Sequence, residues 1–391
     1  MRILYVVSRP LEINTSASIR NRATIEGFLE LGHNIDLVTT DPDNKHGNYD
    51  ASILSKRINT TYFKLGGVQN LAKVGRRFAF LKPLRNTAHK FISNFEIYDN
   101  LKGIINHVHE FNIKDEDYDV IISSSDPKSS HLFVNKMFDK KIIKNIPWIQ
   151  IWGDPFLSDI TRKNKKFDNK IKKEENRLLK HATKVIYVSS LTLKNQKKIY
   201  PHYADKMFYE PIPYVKEEVY PDVDLKKESL TFLYCGDYPS NIRNIIPLYD
   251  AVNSTDHKLI ICGHSDINLE NTNQNKIYPR VSFKKIKELE KECDVLVHLS
   301  NLSGSQIPGK IYQYSGTNKP ILFILDGEKD LLKEIFGRYN RFIFSNNSKE
   351  DVLQSIVNLK KQIVMENFIP IQNFSPSVIA KRILEEIEGS N

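Results

Sequence analysis

The sequence predicts an α/β protein built from two Rossmann-like, doubly wound parallel-sheet domains that face a cleft. Short apolar runs alternate with helical patterns along the chain, which is how strands and crossover helices alternate in a parallel sheet. The alternation runs to PIPY (211–214) and then restarts with LTFLYCG (230–236). A length of 391 residues exceeds one typical core and suits two domains of roughly 150 to 200 residues each. The expected division is 1–205 for an acceptor domain and 206–374 for a donor domain, with a terminal helix over 375–391 packing back on the first.

RILYVV (2–7), a helical pattern through ATIEGFLELGH and NIDLVTT (34–40) make an opening β-α-β, and Gly32 stands where a C-cap glycine belongs. DVIISSS (119–125), PWIQIW (147–152) and KVIYVSS (184–190) follow as strands, each preceded by a helix. The second half offers LTFLYCG, a helix through IIPLYDAV, then KLIICG (258–263), DVLVHLS (294–300), KPILFIL (319–325) and RFIFS (341–345). In SPSVIAKRILEEIEG (375–389), Ile379, Ile383, Leu384 and Ile387 recur at helical spacing and mark an amphipathic helix.

No apolar run approaches the roughly 18 to 20 residues of a membrane span, and MRILYVVSRP is too short in its apolar part for a secretory signal. Cys235, Cys262 and Cys293 are odd in number and lack C-x-x-C spacing, which fits a reducing cytoplasm. The net charge of +10 is uneven: residues 1–200 carry 34 Lys and Arg against 21 Asp and Glu, while residues 201–391 carry 23 against 26. The first half therefore holds the whole excess. Between residues 56 and 90 lie nine cations and no acid, so this stretch is a candidate for an anionic surface. Within it LAKVGRRFAFLKPLR (71–85) mixes apolar and basic residues as a helix lying on anionic lipid does, each cation adding about 1 kcal/mol. The alternative is a helix packed on the domain with a solvated basic face. RKNKKFDNKIKK (162–173) could widen the same surface. Localisation is expected to be cytoplasmic, peripheral on the inner face of the plasma membrane.

Two strand-to-helix loops of the second half suit an anionic ligand. In YCGDYPSNIRN, Gly236 and Asp237 follow a strand and Arg243 stands at the start of a helix, where guanidinium and helix amides point the same way. An exposed Arg opening a surface helix reads equally well. The second loop, after DVLVHLS, holds Gly304, Ser305, Gln306, Ile307, Pro308, Gly309 and Lys310. Gly309 allows close backbone approach, and Lys310 is a point charge for a phosphate or a solvated turn residue. In the first half, Asp154 of WGDPF ends a strand, where it can orient a hydroxyl or cap the next helix. Ser16, Ser18 and Arg20 lie past the first strand, with Ser18 also a candidate N-cap, and Ser124, Ser125, Asp126 and Lys128 form a further tip.

IPGKIYQYSGTNKPIL resembles the signature P-x-K-[IL]-x-E-Y-x-x-x-x-K-P-[IV]-[IL] of GT-B glycosyltransferases of the large retaining family 4, and GDYPSNIRN resembles their G-x-x-x-x-x-x-R loop. IQIWGDPF is similar to their cleft-facing strand end. The resemblance implies a GT-B fold and transfer of a sugar from a nucleoside-diphosphate donor, UDP or GDP type, to a lipid-linked or polysaccharide acceptor in surface-glycan synthesis. It implies retention at the anomeric carbon and domain closure over the donor. Arg243 and Lys310 would hold the diphosphate and, with Asp154, carry catalysis. Charge on the departing diphosphate would be stabilised without a strong base. Gln313, before Tyr314, would bond the ribose.

The sequence departs from that pattern at two family glutamate positions, which read Ser305 and Gln313, and Asp237 replaces an Arg often found after the first glycine. Ser305 is too short and uncharged to stand in for a carboxylate facing the sugar. These changes keep open a nucleotide-sugar epimerase or a non-catalytic binder. His131, His264 and His298 lack metal-ligand spacing, so no metal or cofactor is expected beyond the donor itself. No Walker loop, G-x-S-x-G or G-x-G-x-x-G occurs, which argues against NTPase, hydrolase and dehydrogenase classes. The pI near 9.1 raises a nucleic-acid binder, yet the charge is bunched in one half with no recognition motif, so no nucleic acid is expected as a partner.

Overall fold

Ile3, Leu4, Tyr5 and Val6 are fully buried, as continuous apolar strands are when helices cover both faces of a parallel sheet. They belong to β1 (Arg2–Val6). The computed structural model describes residues 1–51, 57–65, 96–162, 165–224, 226–365 and 368–388. The chain divides into two units, Met1–Pro211 with Pro376–Asn391, and Ile212–Ser375. Each carries a wholly parallel sheet.

In unit 1 the strands are β1, β2 (Asn34–Thr40), β3 (Asn59–Phe63), β4 (Val120–Ser124), β5 (Trp148–Trp152), β6 (Lys184–Tyr187) and β7 (Met207–Tyr209), in the order β3-β2-β1-β4-β5-β6-β7. In unit 2, β8 (Thr231–Cys235), β9 (Lys258–Cys262), β10 (Asn275–Tyr278), β11 (Val295–Leu299), β12 (Ile321–Leu325) and β13 (Phe342–Asn346) run β10-β9-β8-β11-β12-β13. Strand order therefore reverses between β1 and β4 and again between β8 and β11. At such a switch point the loops beyond the strand C-termini diverge and leave a crevice.

The helix α1 (Ser16–Glu30) starts seven residues before the apolar pattern of ATIEGFLELGH begins. Thr15, extended at φ −136°, caps it by accepting from the Ser18 amide at 3.2 Å. Ser18 is thus not the N-cap. The helix ends in Gly32 at φ +81°, with the His33 amide on the Phe28 carbonyl at 3.0 Å, a Schellman closure that needs a residue free of Cβ. The strands β3, β7 and β10 are not among the runs read from the sequence. They are edge strands: NTTYF and NKIY are of mixed polarity, and MFY is only three residues long.

Ile379, Ile383, Leu384 and Ile387 of the last helix, Pro376–Glu388, are buried, and that helix packs along α1. Gly27 sets the approach. A Cβ there would lie 2.1 Å from the Pro376 carbonyl oxygen and 2.9 Å from the Ala380 Cβ. Gly27→Ala should therefore lower the unfolding temperature, because overpacking costs about 1–3 kcal/mol against a helix-propensity gain of about 1 kcal/mol. An unchanged or raised melting temperature would refute this close packing. No described helix is long and apolar enough to cross a membrane. Most of the basic stretch 56–90, including 71–85, lies outside the described residues.

Candidate functional site

In unit 2 the loops after β8 and β11, at the switch point, are stitched together. The Arg243 Nε donates to Asn301 Oδ1 at 3.1 Å, and its Nη1 donates to the Asp237 carbonyl. Asn301 Nδ2 reaches the Gln306 carbonyl at 2.8 Å, and the Leu302 amide reaches the Ile242 carbonyl at 2.8 Å. Arg243 thus couples Gly236 and Asp237 to the loop of Gly304, Ser305, Gln306, Ile307, Pro308 and Gly309. It does not open the helix, which spans Ile246–Asn253 and carries Pro247 in its first turn. Proline is tolerated only at that end, so the helix cannot begin earlier, and Arg243 sits in the preceding turn.

The second loop turns at Gly304, φ +89°, and is anchored by buried Ile307. Gly309 is not in the left-handed region. A Cβ there would press on Ile212 Cδ1 at 3.3 Å. Lys310 heads the helix Lys310–Ser315 with its ammonium 3.7 Å from Glu290 Oε1 and 5.3 Å from the Tyr314 ring centroid. Glu290 is 2% exposed and also holds Lys287 Nζ at 2.8 Å and the Tyr220 hydroxyl at 3.1 Å. Lys310 is accordingly not a solvated turn residue, and it already has an internal counter-ion.

Asp237 and Gln313 are engaged within the chain. Asp237 accepts from the Arg280 Nε at 3.0 Å, from Arg280 Nη2 and from the His264 amide at 2.9 Å. Burial alone would raise its pKa, but Arg280 and that amide outweigh burial and hold it below the usual carboxylate range. Arg280, half exposed and just past β10, brings a guanidinium to Asp237, the position where the resembled pattern often has an arginine. Gln313 accepts from the Val215 amide at 3.1 Å and donates to the Pro213 carbonyl at 3.0 Å. The amide expected to bond a ribose instead clamps 213–215.

Unit 1 gathers Arg20, Ser125, Asp126 and Asp154. Buried Arg20 donates through Nη2 to the Ser125 carbonyl, and the Ser125 hydroxyl accepts from the Gly153 amide at 3.2 Å. A Cβ at Gly153 would lie 2.1 Å from Arg20 Nη1, so any larger residue there would displace the guanidinium. Burial would raise the Asp126 carboxyl, but Lys128 holds it below the usual carboxylate range, whereas burial and then the charge of Asp126 push Asp154 up to about 7. Lys128 pairs with Asp126 and, at 3.2 Å, with Asp159. Ser16 is exposed at the helix start, whereas the Ser18 hydroxyl is buried against the Ile13 carbonyl at 2.7 Å and is closed to a ligand.

Beneath the Asp154 loop lies Glu175, fully buried in the helix Asp168–Lys180. It accepts from the amides of Phe156 and Leu157, both at 3.0 Å, and from the Tyr200 hydroxyl at 2.7 Å. Burial pushes its pKa up despite these bonds. Glu175, Asp159, Arg280 and Glu290 are not among the sequence-derived candidates. For the two glutamates a signal exists: Glu175 falls four residues from Ile171 and from Leu179, and Glu290 four from Ile286, each inside an apolar stripe. Among the described residues no three His, Cys, Asp or Glu side chains group as metal ligands.

No protein-family profile matches the sequence. No curated protein matches it. Solved structures do. The catalytic domain of starch synthase IV from Arabidopsis thaliana, bound to ADP and acarbose, aligns at a TM-score of 0.67 and 7% identity, over 100% of this chain and 98% of that one. Sucrose-phosphate synthase from Thermosynechococcus elongatus aligns at 0.59 and 12%, over 99% and 98%. The lipopolysaccharide outer core galactosyltransferase WaaB aligns at 0.57 and 13%, over 100% of both chains. At these identities the likeness is one of fold: two parallel-sheet α/β domains, as in GT-B glycosyltransferases.

Proposed function

We propose that the chain is a glycosyltransferase that takes a nucleoside-diphosphate sugar, UDP or GDP type, and glycosylates a lipid-linked or growing polysaccharide. The observation that carries this reading is the Arg243–Asn301–Gln306 bridge across the two switch-point loops of unit 2, with Lys310 at the head of the adjoining helix. A diphosphate bound there would meet the Arg243 guanidinium and the Lys310 ammonium, which would stabilise charge as the phosphate bond breaks. The starch synthase of like fold is bound to ADP and acarbose, which fits a nucleotide donor. Asp154, Asp126, Ser125, Arg20 and exposed Ser16 of unit 1 receive the acceptor. Retention at the anomeric carbon, implied by the family resemblance, is the finer expectation, read from the product by NMR. The positive charge of the first half supports a peripheral position on the cytoplasmic face of a membrane.

A thermal-shift screen against UDP, GDP, CDP and ADP sugars tests the donor class. A ligand held at about 100 times its dissociation constant should add about 2.7 kcal/mol. No shift with any of them would remove the assignment. Gln313 turned onto 213–215 and Ser305 in place of a carboxylate favour a second reading, a nucleotide-sugar epimerase or binder. Product analysis separates the two, because an epimerase alters the sugar with no acceptor present.

A further inference from the structure

The chain has three cysteines, all buried and unlinked, and two of them stand side by side at the switch-point end of unit 2. Cys235 closes β8, Cys262 closes β9, and the parallel register pairs them directly. Side chains alternate along a strand, and Phe232, Tyr234, Leu259 and Ile261 fill the core on one face, so both thiols project from the other. Neighbouring strands run about 4.8 Å apart, inside the Cα range of about 4.4–6.8 Å that a disulfide spans. The two residues keep 5% and 4% of their surface exposed, which admits a small oxidant and excludes a bulky one. The Cys262 thiol, against burial and with help from the Lys310 ammonium, holds Cys235 below the usual thiol range.

The loops that follow the two strands are pressed together. The Gly236 amide bonds the Cys262 carbonyl at 2.9 Å, and a Cβ on Gly263 would lie 2.0 Å from the Gly236 carbonyl oxygen. The Tyr238 amide bonds the His264 carbonyl at 3.0 Å, and the His264 amide bonds Asp237 Oδ1 at 2.9 Å. A change in the spacing of β8 and β9 therefore reaches Asp237, whose carbonyl accepts from Arg243.

We propose that Cys235 and Cys262 are a redox modification site, closing to a reversible disulfide that weakens donor binding at the loops beside them. The control of donor binding rests on the glycosyl-transfer reading; the pairing of the thiols does not. The oxidant is a hydroperoxide. The Cys235 thiolate attacks one oxygen of hydrogen peroxide, the O–O bond breaks, and hydroxide leaves and takes up the proton Cys235 has lost, giving a sulfenic acid and water. The Cys262 sulfur attacks the sulfenic sulfur, the S–O bond breaks, and the hydroxyl leaves with the Cys262 proton as a second water. Two electrons pass from the sulfurs to the peroxide oxygens, and a dithiol reductant returns them. Closure brings the Cβ atoms to about 3.8 Å, which draws the strand ends inward and displaces the loops above them. Cys293 precedes β11, donates to the Glu290 carbonyl at 3.4 Å and stays a thiol.

The experiment treats the full chain with hydrogen peroxide, maps its peptides by mass spectrometry, and measures thermal shift and calorimetric affinity with UDP, GDP, CDP and ADP sugars before and after dithiothreitol. A Cys235–Cys262 link is expected, so that of three thiols only Cys293 remains. Donor affinity should fall about tenfold or more, the scale of coupling between linked sites, and recover on reduction. Cys235→Ala should keep its donor affinity through peroxide, and Cys293→Ser should respond as the wild type does. Where a variant folds poorly, the wild-type map and its reversal by dithiothreitol still decide the pairing. Peroxide that leaves all three thiols, or that links Cys293, overturns the site. A Cys235–Cys262 link with donor affinity unchanged overturns the control. A reduced wild-type chain that answers to none of the donors overturns the parent reading and the control with it, while the peptide map still decides the thiol pair.

Discussion

Arg243→Ala and Lys310→Ala are each expected to slow nucleoside-diphosphate release by about 10²–10³-fold, some 3–4 kcal/mol of transition-state stabilisation, as for other single donors to a developing oxyanion. The two losses should not add, because in the proposed site both cations would act on one diphosphate. Arg243→Lys should recover only part of the rate. It keeps the charge but loses the fork that reaches Asn301 and the Asp237 carbonyl together. Glu290→Gln should act in the opposite direction on donor affinity. It removes the carboxylate 3.7 Å from the Lys310 ammonium, so a diphosphate no longer competes with an internal counter-ion. Steady-state release and calorimetric donor affinity read both effects, and near-wild-type rates in the two alanine variants would sink the donor site.

Glu175→Ala should produce the largest loss of stability. The substitution leaves the buried Phe156 amide, the part-buried Leu157 amide and the Tyr200 hydroxyl without their acceptor, at about 1–3 kcal/mol for each unsatisfied group before any relaxation. An overall cost of about 3–5 kcal/mol would lower the melting temperature by roughly 10 °C in a unit of this size. Glu175→Gln keeps one accepting oxygen and should fall about midway. Since the two amides belong to the segment directly after Asp154, activity should fall in parallel. Calorimetric unfolding decides the matter: a variant melting within a degree or two of wild type would mean that the carboxylate does not hold the loop.

The central strands were legible because a parallel sheet covered on both faces demands unbroken apolar runs, and RILYV, WIQIW and ILFIL are such runs. Edge strands face no such demand. NKIY is half polar, and without it Arg280 had no visible place at a strand tip. Candidate residues stood out where a strand end met a glycine or a charge, as at Gly236, Asp126 and Asp154, and where a glycine-rich loop ran into a helix, as at Lys310. What each side chain bonds did not. Gln313 offers the same donor and acceptor to a ribose as to a backbone, and only the position of residues 213–215 decides between them. Glu175 and Glu290 lie in helices so rich in charge, DNKIKKEENRLLK and FKKIKELEKE, that their inward-facing register is easily overlooked.

The helix Pro376–Glu388 gives unit 1 a discontinuous sequence, since its covering piece is synthesised after all of unit 2. During translation unit 2 can close on itself once the helix Lys349–Met365, which supplies Val352, Ile356 and Leu359 to its core, has followed the last strand out. Unit 1 must wait with the Gly27 groove of its first helix uncovered. A ribosome stalled before Pro376 would present that groove to chaperones, and a tag or fusion that obstructs the last helix would impair the half of the chain farthest from it in sequence.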